Sequence, residues 1–256
     1  MAETSSPHTD PPSGDPPQTV VVVSGGSAPH PAVREALPAD AYVISADSGY
    51  AHARSLGLHV DVLIGDFDSI QRTDLAIAEQ SGTRIVGHPV DKDATDLELA
   101  LELAAESTPD EIVVVAGGEG DRIDHFITTV SLLCDPRFSG ARMSGWFGRA
   151  RLIVVRPGQP AFLQQVRSDA PGTDSANGMF VTLDPITDEA IGVTTTGLKF
   201  ALNNATLHRH RTRGVSNVFV GPSASVHITD GALLVVQPTA LRLATTTPLT
   251  QPAQPT

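Results

Sequence analysis

Short apolar runs closed by glycine, aspartate or proline recur along the first half of the chain. Residues 19–26 read TVVVVSGG, and AYVISADSG (41–49), VDVLIGD (60–66), TRIVGHP (83–89) and EIVVVAGG (111–118) repeat the grammar. Runs of this kind, without strict alternation, suit strands buried on both faces, as in a parallel sheet. Between them, 50–57, 71–81, 95–107 and 122–134 carry helix-compatible patterns. Alternating strands and helices predict an open, mostly parallel α/β sheet with helices on both faces.

The grammar changes near residue 145. ARLIVVRPG (150–158) is followed by GMFVTLDPI, AIGVTTTGLKFAL, NVFVG, ASVHITDG and ALLVVQP, which are short, partly alternating and divided by Gly, Pro and Asn. These predict a small all-β domain over 150–240, joined by a Gly/Arg-rich linker near 145–150 to an α/β domain over 19–149. Segments 1–18 and 241–256 are rich in Pro, Ser and Thr and hold little that builds a core, so both are expected to be disordered tails.

Bulk properties remove several function classes. Net charge is −12, from 29 acidic and 17 basic residues, which opposes a sequence-independent grip on nucleic acid. LHRHRTRG (207–214) leaves room only for a local basic patch. Cys134 is the single cysteine, so an intramolecular disulfide or a cysteine-based zinc site is ruled out. Its surroundings, TTVSLLC, favour a small buried thiol over a nucleophile. The nine histidines show no HxxxH spacing. With no 18-residue apolar run and no signal-like N-terminus, the expectation is a cytoplasmic protein that meets no membrane.

The candidate chemistry sits where the strands end, the side of an open α/β sheet on which ligands bind. Asp47 and Ser48 follow the second strand, and Asp66 and Asp68 the third. DKDATD (91–96) follows the fourth and GGEGDRIDH (117–125) the fifth. Asp is an ordinary turn residue, but its recurrence at successive strand ends exceeds punctuation. Asp66 and Asp68, two apart on an extended segment, would point the same way. Asp96 reads either as a helix-start residue, behind a Thr95–Glu98 capping box, or as a third ligand. Three carboxylates with water and phosphate oxygens would make a hard-oxygen site for Mg²⁺. Gly117, Gly118 and Gly120 would let backbone amides approach an anion ahead of the helix near Arg122. Arg122 has an alternative, pairing with Asp121 or Asp124.

In order along the chain, ADSG, VLIGDFDSI, DKDATDLELAL, GGEGDRIDH, GVTTTGLKFAL and GVSN resemble the successive motifs of the thiamine pyrophosphokinase family. The resemblance implies a homodimer of two-domain subunits, an α/β nucleotide-binding domain followed by a β-sandwich. It implies transfer of the terminal pyrophosphoryl group of ATP to thiamine, with Mg²⁺, at sites on the dimer interface. By this likeness Asp66, Asp68 and Asp96 hold magnesium and the polyphosphate, and Asp47, Ser48, Lys92, Thr95, Gly117 and Gly118 serve the nucleotide. Arg122, Asp124 and His125 border thiamine. Thr196, Lys199, Phe200, Ser216 and Asn217 line its pocket from the β domain across the interface.

Three departures bear on the acceptor alcohol. Ser48 replaces a glycine usual in the family, Asp121 another, and Thr129 an asparagine. Two other readings remain beside thiamine: a pyrophosphokinase acting on a pterin-type hydroxymethyl heterocycle, and a non-catalytic Mg-nucleotide sensor. Phe200 is one of eleven aromatics, and it reads either as a pocket ring or as a core residue on a strand.

Overall fold

The computed structural model describes residues 16–118, 122–166 and 179–241. Most of segments 1–18 and 241–256 therefore lies outside the described residues, as do Gly120 and Asp121. Five parallel strands fall where the apolar runs predict them: β1 (Thr19–Val23), β2 (Tyr42–Ala46), β3 (Val62–Gly65), β4 (Arg84–Gly87) and β5 (Glu111–Ala116). A short α1 (Val33–Ala36) was not foreseen. The helices α2 (Gly49–Ser55), α3 (Arg72–Gln80), α4 (Asp96–Glu106) and α5 (Ile123–Leu133) match the four expected segments within a few residues.

The unbroken apolar runs have a packing cause. Val20 and Val22 of β1 join one core with Leu97 and Leu101 of α4 and Leu132 and Leu133 of α5. Val21 and Val23 join the opposite core with Tyr50 and Ala53 of α2 and Ala78 of α3. Both faces of the strand are buried, so neither alternate position can be polar. No helix among the described residues is long and apolar enough to cross a membrane.

The expected linker near 145–150 is instead built into the sheet. Arg142–Phe147 forms β6, parallel to β5, and Ala150–Val155 forms β7, antiparallel to β6. The polar Ser144 and the following Gly145 interrupt the apolar run that would have marked β6. Ser144 is 4% exposed and its hydroxyl donates to Glu111 Oε1 at 3.0 Å, which satisfies it. Beyond β7 come β8 (Ala161–Gln164), β9 (Phe180–Pro185), β10 (Glu189–Thr196), β11 (Ala205–His208), β12 (Asn217–Val218), β13 (Ser223–His227) and β14 (Leu233–Gln237).

Hydrogen bonding is continuous past residue 150. The large sheet runs β12-β9-β14-β7-β6-β5-β1-β2-β3-β4, four antiparallel strands followed by six parallel ones. A four-stranded antiparallel sheet, β11-β10-β13-β8, lies beside it. Val155, Leu183 and Leu233 of the large sheet share a core with Leu163, Val193, Leu207 and Val226 of the small one. The architecture is a mixed α/β fold with a second, antiparallel sheet.

One close approach fixes the site end of this frame. A Cβ on Gly49, the first residue of α2, would sit 2.3 Å from the carbonyl oxygen of Val23 at the end of β1. Gly49→Ala is expected to push helix and strand apart and to cost about 1–3 kcal/mol, read as a lower midpoint in urea unfolding. An unchanged midpoint would mean that α2 does not rest on β1.

Candidate active site

The six parallel strands reverse their order between β5 and β1, which makes the crevice beyond those two strand ends the switch point of the sheet. A cleft of about 580 Å³ opens there. Ser24 and Gly25 after β1, Asp47 and Ser48 after β2, and Ala116 at the end of β5 line it, facing Thr95, Asp96, Arg122 and His125 from the starts of α4 and α5.

The carboxylates converge, though not by the expected geometry. Phe67 adopts a left-handed conformation (φ 62°), so the Asp-Phe-Asp segment turns rather than extending. Asp66 Oδ1 accepts the Asp68 N–H at 3.2 Å, an Asx turn that brings the two residues together. Lys92 Nζ lies 2.8 Å from both Asp66 Oδ2 and Asp96 Oδ1. Its hydrogen bond holds the Asp66 carboxyl below the ordinary carboxylate range. Burial pulls the Lys92 ammonium down, but Asp66 and Asp96 together hold it above its usual value. Asp68 stands outside this arrangement, and repulsion from Asp66 pushes its carboxyl up. As arranged, no group of three or more His, Cys, Asp or Glu side chains among the described residues is gathered to hold a metal ion.

Asp47 is the deepest of the set, at 5% exposure and with a left-handed backbone (φ 46°). Asp tolerates this conformation better than most residues. Its N–H still donates to Ile64 O at 2.9 Å, and Ser69 Oγ donates to its Oδ2. Burial, reinforced by repulsion from Asp96, Asp66 and Asp68, raises its pKa to about 6. Because the folded value lies above the unfolded one, ionising Asp47 weakens the fold as pH rises from about 4 to 6.

Thr95 caps α4 by accepting the Glu98 N–H at 3.2 Å, the first half of the predicted capping box. The second half is absent: Glu98 Oε1 instead accepts from Arg137 Nη2 at 2.6 Å. The glycines after β5 have a packing reason beyond any ligand. A Cβ on Gly117 would lie 2.3 Å from Ser27 O, and Gly118, at φ 82°, abuts Phe147. Arg122 takes the expected alternative partner, a bidentate pair with Asp124 that draws its carboxyl down to about 2. Thr129 Oγ1 donates back to His125 O at 2.8 Å. Away from the cleft, burial raises the Cys134 thiol to about 11, in keeping with a structural role.

The β-half candidates lie elsewhere in the chain. Asn217 begins β12, the far edge of the large sheet, eight strands from β3. At ~4.8 Å per strand that is on the order of 30–40 Å. Asn217 is 2% exposed and clamps Phe200 twice, accepting its N–H and donating to its carbonyl, both at 2.9 Å. Phe200 itself is 60% exposed, with the Lys199 ammonium 5.5 Å from its ring centroid, so the core reading of this residue fails. Thr196 Oγ1 meets Ser225 Oγ at 2.7 Å, and Ser216 is left-handed at φ 57°.

Two family models match the chain in order. The thiamin pyrophosphokinase catalytic domain matches residues 33–144, and the thiamin pyrophosphokinase vitamin B1 binding domain matches 173–233. The chain belongs to the thiamin pyrophosphokinase family. It is 26% identical over 196 residues to thiamine pyrophosphokinase of Bacillus subtilis strain 168, covering 77% of this chain and 86% of that one. It is 28% identical over 149 residues to thiamine pyrophosphokinase 2 of Arabidopsis thaliana, covering 56% and 52%. The crystal structure of thiamine pyrophosphokinase from Bacillus subtilis shares the fold, with a TM-score of 0.72 at 24% identity over 87% of this chain and all of that one.

Every family-implied site residue falls inside the two matched segments. Sequence reasoning missed Ser24, Gly25 and Gly26, which line the cleft although they close β1 with the same Gly-rich grammar. It also missed Ser69, whose position three residues after Asp66 gives no hint of a bond to Asp47, and Phe126 and Phe147, whose rings meet edge to face at 5.6 Å beside the cleft.

Asn217 and Phe200 should behave oppositely on truncation. Asn217→Ala removes the side-chain partner of three backbone groups, the Phe200 N–H and carbonyl and the Val218 N–H, and is expected to cost about 2–4 kcal/mol, whereas Phe200→Ala should stay within about 1 kcal/mol. Urea unfolding of the two variants checks this. A larger loss for Phe200→Ala would place that ring in a core.

Proposed function

We propose that the chain moves the terminal pyrophosphoryl group of ATP onto the hydroxyl of thiamine, giving thiamine diphosphate and AMP. The observation that carries this reading is the ordered match of a catalytic and a vitamin B1 binding model on one chain, with a carboxylate-lined cleft at the sheet's switch point. The vitamin B1 match favours thiamine over a pterin, and the Lys92–Asp66–Asp96 arrangement suits transfer chemistry better than passive sensing. In the proposed reaction the thiamine oxygen bonds to the β-phosphorus of ATP. The bond from that phosphorus to the α–β bridging oxygen breaks, and AMP leaves with the electron pair. The alcohol's proton passes to solvent or to a carboxylate at the mouth.

The donor set fits a hard cation, since Asp66 and Asp96 already share one ammonium at 2.8 Å. Asp66, Asp96 and the neighbouring Asp68 would hold Mg²⁺, which when bound neutralises and orients the polyphosphate. Lys92 would then transfer its pairing from the carboxylates to phosphate oxygens, with Thr95 and the amides after β5 beside it. Arg122, Asp124 and His125 would border the acceptor. The distance between cleft and β-half residues within one chain supports a homodimer in which Lys199, Phe200 and their neighbours complete the partner's cleft. Ile123 and Ile127, 70% and 60% exposed on the cleft-side helix α5, fit a surface that such a partner covers.

Incubation with ATP, Mg²⁺ and thiamine tests the reading through the nucleotide released. AMP with thiamine diphosphate is the expected pair. ADP with thiamine monophosphate would make the chain a simple kinase, and turnover with a hydroxymethylpterin but not thiamine would move the acceptor.

A further inference from the structure

Asp47 is more than nine-tenths buried, and although the Ser48 N–H acts on its carboxylate, one of the two oxygens lacks a well-formed hydrogen bond. Oδ2 accepts the Ser69 hydroxyl, while Oδ1 is buried and has no hydrogen-bond partner among the described residues. Both residues line the cleft. A buried ionised oxygen without a donor is costly, and here the backbone conformation at φ 46° adds to that cost. An arrangement of this kind persists when a ligand supplies the missing donor.

The surroundings limit what that donor is. Asp66, Asp68 and Asp96 all act on Asp47 by repulsion, so a phosphate oxygen does not approach its side without a cation between them. A group that completes Oδ1 brings either positive charge or a hydrogen, and a neutral hydroxyl brings the second without displacing the cation proposed at Asp66 and Asp96. Asp47 follows β2, and β2 lies next to β1, whose Ser24–Gly25 end borders the switch point. In doubly wound dinucleotide-binding sheets, which differ from this one in strand order, an acidic residue beyond the phosphate-binding turn receives a ribose hydroxyl. Ser69, by contrast, is an exposed residue, and among the described residues its hydroxyl bonds to Asp47 alone.

We propose that Asp47 and Ser69 form a built acceptor for a ribose hydroxyl of the nucleotide: Asp47 Oδ1 receives the hydroxyl, and Ser69 is a positioning residue that occupies Oδ2 and fixes the carboxylate. This rests on the nucleotide reading given above. Its consequence is discrimination between ribo- and deoxyribonucleotides that the polyphosphate contacts alone do not provide.

Calorimetric titration of the full chain with Mg²⁺ and ATP, 2′-deoxy-ATP or 3′-deoxy-ATP tests it without turnover. One deoxy analogue should bind about 10- to 100-fold more weakly than ATP. In Ser69→Ala that ratio should fall to about threefold or less, and Ser69→Thr, which keeps the hydroxyl, should restore it. The KM for thiamine should not move in either variant. Equal affinity for all three nucleotides in the unsubstituted chain would overturn the proposal, as would full discrimination in Ser69→Ala. A Ser69→Ala effect confined to Mg²⁺ affinity or to the thiamine KM would also overturn it, by assigning Asp47 to the cation or the acceptor. If ATP is discriminated but no AMP is released with thiamine, the ribose site stands and the transfer reaction fails. The reverse pattern keeps the reaction and removes the site.

Discussion

The ammonium of Lys92 lies 2.8 Å from carboxylate oxygens of both Asp66 and Asp96, and this shared cation ties the end of β3 to the start of α4. Asp47 and Asp68 are close enough to feel the charges of Asp66 and Asp96, so among the described residues four acidic groups gather about one ammonium. Asp47 is pushed up to about 6 and Asp68 is raised by Asp66. Left-handed backbone at Asp47 and Phe67 adds local strain. A mouth of this kind is unfavourable for the fold taken alone, and its stability comes from elsewhere: a parallel sheet whose strands are buried on both faces.

That sheet was largely legible in the sequence, because a strand with no polar face leaves an uninterrupted apolar run. β1 to β5 and the helices between them follow from that pattern. The positions of Asp47, Asp66, Asp68 and Asp96 follow as well, since residues after parallel strands share one edge. What stayed hidden depends on contacts distant in sequence. β6 was concealed because its polar Ser144 is satisfied by Glu111, thirty-three residues earlier. Glu98 fits a capping box locally, yet Arg137 draws it away. Asp66 and Asp68 do converge, but through a left-handed Phe67, which no spacing rule signals. The bond from Ser69 to Asp47 is likewise invisible until β2 and β3 lie side by side.

The second half shows the same limit in another form. Its short strands announce β structure, but their partners cannot be read from composition. β7, β9 and β14 extend the parallel sheet through antiparallel pairing, and β12 closes its far edge. One consequence is functional. Asn217, on β12, sits on the order of 30–40 Å from the carboxylates after β3 of its own chain, and it is committed to holding Phe200 in place.

The account's central claim is that the acidic mouth is held for a cation and polyphosphate rather than for the fold. Chemical unfolding of the intact chain and of Asp68→Asn at pH 7, with and without Mg·ATP, tests this most directly. Without ligand, Asp68→Asn should equal or exceed the unsubstituted chain in stability, because it relieves repulsion from Asp66. With Mg·ATP at about 100 times its Kd, the unsubstituted chain should gain roughly 2.7 kcal/mol, and the variant should lose most of that gain. If Asp68→Asn instead weakens the free protein and keeps the full Mg·ATP stabilisation, the carboxylate serves the fold and the account is wrong.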